Sequence, residues 1–374
     1  MSKSSKRKKK TSASNSENIE LLKIKTKRKK EEIKINNIID ISSPREIQFL
    51  NNIANDSFTY RLDNTFSVFK SYNSDIIYLI YATKDNSIVS MNLINFQKLC
   101  EVRKAHKMHI TFFKYFFDKI ELRDLILSIS GHNNNIKIWK VKNMVCILNI
   151  ENINSSGDLN SACVLYDKTK NENFIVSSCC YGNSEPLKIF DFYGRKVKEI
   201  SHSCDNTIFI DDFYDERIFK NFIITGNEGF VKSYDFKKSK TYLKYCDNDG
   251  RGHFSVYIHN TFYKIQLFES CEDGCIRIWD FHSRELLNKI YVSEKCLYGI
   301  CFWDDDYIFV GCSDKSIKLV SLKCRTIARN LTGHKNMVIT VKKINHPKYG
   351  KCLLSQGDFE DPIKLWTNKK LYKK

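Results

Sequence analysis

One short motif recurs seven times at nearly constant spacing, and a chain built this way has to fold as an array of like units. The motif is an apolar, polar, apolar alternation that ends, where it is complete, in an aromatic. Its copies are Ile88-Val89-Ser90-Met91, Ile136-Lys137-Ile138-Trp139, Leu187-Lys188-Ile189-Phe190, Val231-Lys232-Ser233-Tyr234, Ile276-Arg277-Ile278-Trp279, Ile317-Lys318-Leu319-Val320 and Ile363-Lys364-Leu365-Trp366. Steps between fourth residues are 48, 51, 44, 45, 41 and 46. Alternation with period two is a strand signature, and each step leaves room for four short strands and their turns. No interval can hide a further copy.

The fullest copy runs from Gly252-His253 through Asp273-Gly274 to Trp279-Asp280. At these residues the chain resembles the WD40 repeat family, over roughly residues 60 to 370. The resemblance implies an all-β fold, a seven-bladed WD40-type β-propeller. It further implies a hydrogen-bonded chain of His, Ser, Asp and Trp in the better blades: His253, Ser270, Asp273 and Trp279 in the fifth copy; His106, Ser130 and Trp139, with Asn133 for the Asp, in the second; and His334 with Trp366 in the last, around a longer turn from Asp358 to Pro362. Asp314 is the corresponding turn acid of the sixth. Such a chain is structural, because a buried indole N–H needs an acceptor and an acid orients the imidazole. The third and fourth copies lack Gly-His and place Phe190 or Tyr234 at the Trp position; the sixth places Val320 there.

Only eight residues follow Trp366, too few for an outer strand in the last blade. A segment from the N-terminal side is expected to supply it, covering an open sheet edge. The alternating stretch Ser57 to Arg61 is assigned that role, ahead of a first inner strand at Thr65 to Phe69, with the propeller spanning 44–374. Residues 1–43 read as a disordered basic tail: they contain no aromatic and two basic clusters, Lys6-Arg7-Lys8-Lys9-Lys10 and a second that includes Lys25, Lys27, Arg28, Lys29 and Lys30. About half of the formal charge of +18 sits in the first 35 residues. Two such clusters suit a nuclear or nucleolar address, or a phosphate-binding arm for RNA or DNA.

Other chemistry is weighed and set aside. Fourteen cysteines form no C-x-x-C pair and read as buried thiols, so no metal is expected. His106 and His109 precede a strand, Asp304-Asp305-Asp306 reads as a solvated turn, and the aromatic run from Phe112 to Phe117 reads as a buried inner strand. Gly182-Asn183-Ser184 and Gly226-Asn227-Glu228-Gly229 are turns without the ending of a phosphate loop. No catalytic set and no cofactor loop is found, and no run has the length of a membrane helix. The expected function is a non-catalytic scaffold or adaptor that binds other proteins through its two faces, in a nuclear or nucleolar assembly related to RNA or ribosome biogenesis, with the cytoplasm as the other location. The alternatives are a substrate receptor of a cullin-type ubiquitin ligase, whose W-D-x-R has His282 in place of Arg here, and a cytosolic trafficking or signalling scaffold.

Overall fold

The computed structural model describes residues 45–46, 66–154, 158–180, 185–201, 207–247, 251–358 and 361–367. Among them, twenty-eight strands form seven four-stranded antiparallel sheets, numbered here as blades 1 to 7 in chain order. The inner strands are Phe66–Lys70, Phe112–Asp118, Asp158–Asp167, Thr207–Asp215, His253–Asn260, Leu297–Asp304 and Val338–His346. Each motif copy marks the third strand of its blade, with Ile363 just ahead of the last: Ile88–Asn92, Asn135–Lys140, Leu187–Asp191, Phe230–Asp235, Cys275–Asp280, Ile317–Ser321 and Lys364–Thr367. Consecutive inner strands touch, and the last touches the first, so the blades close into a ring. The seven-bladed propeller that the resemblance implies is the observed fold.

The core lies between blades, since each sheet is apolar on both faces. Every residue of the second strands Ile77–Ala82 and Ile265–Cys271 is buried. Phe69, Ile80 and Ile88 of blade 1 pack on Phe113, Ile126 and Trp139 of blade 2; Phe66, Leu79, Tyr81 and Met91 turn the other way, onto Tyr349, Leu354 and Leu365 of blade 7. Each large side chain so buried contributes about 1.5–3 kcal/mol before entropy is counted. Outer strands are half in water, as in Lys196–Ile200.

A β-bulge recurs at one motif position. In blades 1 to 6 the pairing of third and outer strands slips between the third and fourth motif residues, at Ser90/Met91, Ile138/Trp139, Ile189/Phe190, Ser233/Tyr234, Ile278/Trp279 and Leu319/Val320. An extra residue in the outer strand increases local twist.

Blade 7 takes its outer strand from the N-terminal side. The strand is Arg45–Glu46, with Arg45 opposite Leu365 and Glu46 opposite Lys364. Residues 57–61, assigned this place above, lie outside the described residues, as do residues 1–43 with both basic clusters. The first inner strand is Phe66–Lys70, one residue on from the expected Thr65 to Phe69.

Candidate functional site

Antiparallel connection puts the turns at two ends of the ring, and the repeat signature stands at the end that carries the second-to-third turns and the links between blades. Blade 7 holds the complete chain. His334 Nδ1 is 3.0 Å from Asp361 Oδ2, its Nε2 is 2.6 Å from Ser355 Oγ, and Trp366 Nε1 donates to that same Oγ at 2.6 Å. The network fixes the tautomer: Nδ1–H faces the carboxylate and Nε2 accepts from the serine. Asp361 also accepts from the backbone N–H groups of Lys335 and Asn336, at 2.8 and 3.0 Å. Burial raises its pKa, but the hydrogen bonds from His334 and these amides outweigh that and leave it lowered. One carboxylate thereby ties the inter-blade link to the blade.

Blade 2 keeps half of this arrangement. His106 Nε2 is 2.7 Å from Ser128 Oγ, and Trp139 Nε1 donates to the same oxygen at 2.8 Å. The serine is therefore Ser128, and the expected Ser130 is corrected by register: Ser128 pairs with Lys137, two residues before the tryptophan, just as Ser355 pairs with Lys364, whereas Ser130 pairs with Asn135. Asn133 stands half-exposed in the turn and is not joined to the imidazole. Burial, with Lys137 nearby, holds the His106 pKa down at about 3.

Blade 5, the best match in sequence, is wired differently. The position opposite Arg277 is Glu269, so a carboxylate stands where blades 2 and 7 have serine. Its Oε2 lies 3.3 Å from His253 Nδ1. Ser270, the expected partner, points to the other face and donates instead to the Tyr298 carbonyl of blade 6. Asp273 does not reach the imidazole either; it accepts from Arg277 Nη2 at 2.6 Å and from the Cys275 N–H at 2.9 Å. Burial pushes the Asp273 carboxyl up, yet these bonds hold it at about 2. Arg277, fully buried, also reaches Asp247 Oδ2 at 2.7 Å, and Lys289 Nζ meets that oxygen at 2.7 Å. Trp279 Nε1 has no hydrogen-bond acceptor among the described residues.

The motif cation is a second device that the sequence displayed but that the His-Ser-Asp-Trp reading passed over. Lys137 Nζ donates to the Ala105 carbonyl at 2.7 Å, Lys188 to Ile153 at 2.8 Å, and Lys364 to Gly333. Each acceptor lies in the link entering the blade. In blade 6, Lys318 instead meets Asp314 at 2.5 Å, and Asp314 also accepts from Ser316 Oγ at 2.6 Å. The recurring Lys or Arg between two buried motif residues was the legible signal.

Inner strands add one charged group. Lys114 of blade 2 forms an ion pair with Asp211 of blade 4, past Cys163 of blade 3. Burial, opposed by Lys114, raises the neighbouring Asp212 to about 6. No set of three or more His, Cys, Asp or Glu suited to a metal occurs among the described residues, and none of their helices is long and apolar enough to cross a membrane.

Seven four-stranded blades in a closed ring make this chain a seven-bladed β-propeller, and the His-Ser-Asp-Trp chain of blade 7 is consistent with the WD40 repeat family. No family model matches the sequence. Over 94 residues, 25% of the chain, it is 33% identical to the U3 small nucleolar RNA-associated protein 21 homolog of Schizosaccharomyces pombe; the aligned stretch covers 10% of that protein.

Proposed function

We propose that the chain is a non-catalytic scaffold that binds other proteins through the two ends of its propeller, within a nuclear or nucleolar assembly concerned with RNA or ribosome biogenesis. The observation that carries this reading is the likeness to a small nucleolar RNA-associated protein in a chain whose inter-blade links are held by internal hydrogen bonds. A rigid ring with fixed turns offers several sites at once at little ordering cost. The basic clusters Lys6 to Lys10 and Lys25 to Lys30 add an address or a phosphate-binding arm. The buried imidazoles and carboxylates are used internally, which argues against catalysis. The ligase-receptor reading loses ground at His282, whose Nε2 is 2.8 Å from Asp215 and whose Nδ1 is 3.1 Å from Tyr242 Oη, so the side chain is tied to the neighbouring blade.

Proximity labelling in the native cell, with the full chain beside one lacking residues 1–43, tests the proposal. Nucleolar or RNA-processing neighbours that disappear with the tail support it. A cytoplasmic neighbour set unaffected by the deletion sinks it.

A further inference from the structure

A cleft of about 680 Å³ opens among blades 2, 3 and 4, at the end of the ring opposite the repeat signature. Its apolar wall includes Ile120, Ile147, Tyr193, Val197 and Phe236. Tyr193 is 82% exposed, Val197 49% and Ile120 44%. Ile147 and Val197 are the extra residues of the outer-strand bulges in blades 2 and 3, and so lie outside the ladder register. Large apolar side chains left in water on one concave surface mark an interaction site.

Charge defines the occupant. Several cleft carboxylates are already matched: Asp118 accepts from Arg123 Nε at 3.1 Å and Asn173 at 2.8 Å, Glu121 meets Arg123 Nη1 at 2.6 Å, and Asp191 meets Arg195 at 2.7 Å. Lys170, Lys198 and Lys237 form no direct ion pair among the described residues, and Asp235 and Asp167 act on Lys198 only from a distance. The Lys198 ammonium donates to the Phe236 carbonyl and lies 4.5 Å from that ring; Lys170 lies 5.8 Å from Phe174. Burial, with Lys170 beside it, lowers the Lys198 pKa, so an incoming anion would relieve a cation already partly desolvated.

We propose that this cleft docks an extended acidic segment of a partner protein, with an apolar side chain on Ile120, Tyr193 and Val197 and carboxylates on Lys170, Lys198 and Lys237. Single-stranded nucleic acid fits less well. Exposed Glu121 and Glu172 at the rim oppose a phosphate at every step of a backbone. A peptide can place its charges between them.

The proposal rests on the scaffold reading but is tested apart from it. A random peptide phage library is panned against the full chain, and the consensus peptide is synthesised with a fluorophore and titrated. The expected consensus is an apolar residue flanked by Asp or Glu, with binding weakened at least about ten-fold by Lys170→Glu/Lys198→Glu and by Tyr193→Ser. Tyr193 is so exposed that its variant retains the wild-type melting temperature and decides the matter if the double variant does not. No enrichment, a consensus without acids, or equal binding to both variants overturns the proposal. So does labelled dodecauridylate that binds the wild type and is lost with the same variants, which would assign the cleft to nucleic acid. Neighbour sets from the tail deletion do not depend on this cleft, so either proposal can fail alone.

Discussion

Gly274 and Gly350 share a backbone angle, φ of +76° and +75°, yet differ in their surroundings. A Cβ on Gly274 would lie 1.7 Å from the Ser293 carbonyl oxygen, whereas one on Gly350 meets nothing within 4 Å. Gly350→Ala is expected to cost about 1 kcal/mol, from the left-handed conformation alone. Gly274→Ala must also displace the link into blade 6 and should lower the thermal midpoint by clearly more. The two serines of blade 2 make a second pair. Ser128→Ala leaves two buried ring nitrogens without their shared oxygen and should cost about 1–3 kcal/mol in urea unfolding, while Ser130→Ala should be close to neutral. His106 and Trp139 were legible in sequence because their types and order suffice. Choosing between serines two residues apart needs the strand register, which no local pattern specifies. The imidazole of His106 also sets a pH dependence. Unfolded, it takes a proton below its ordinary 6.5; folded, it refuses one until about 3. Its contribution is present above pH 6.5 and falls progressively as pH drops toward 3. Urea midpoints at several pH values should show this slope, and His106→Gln should flatten it.

Single strands show where sequence resemblance and chemistry part. The third strand of blade 5 reproduces the family pattern best, yet its polar position is a fully buried arginine held by Asp247 and Asp273 and facing Glu269. Alternation identified Arg277 only as the polar member of its motif. Its burial comes from the neighbouring link, which brings Asp247 over it. Arg277→Met should destabilise the chain by about 3–5 kcal/mol, because the fully buried Glu269 loses its guanidinium neighbour while Asp247 and Asp273 are left with Lys289; equilibrium denaturation measures this directly. The bulges were equally hidden, since an extra residue in an outer strand looks like ordinary loop-length variation. They decide which outer-strand side chains leave the ladder, and hence where Ile147 and Val197 stand.

At the scale of the whole ring, spacing alone was enough to count the blades, because seven like units in frame have few ways to bury both faces of each sheet. Which N-terminal segment completes blade 7 was not readable. Ser57 to Arg61 alternates well, but a two-residue strand at Arg45–Glu46 carries no pattern at all. A chain beginning at Ile41 should melt like the full one, while a chain beginning at Leu50 should melt lower, having lost the pairs to Leu365 and Lys364; calorimetry distinguishes them. The same closure governs how the ring is reached. Blade 7 joins segments from opposite ends of the described chain, so its contacts have the greatest sequence separation among the described residues, and such contacts form late. Until they do, Phe66, Leu79, Tyr81 and Met91 have no blade 7 to cover them. During synthesis that apolar seam stays open until the last strand emerges, which makes the interval before closure the one in which the protein is most exposed to aggregation and most dependent on chaperones.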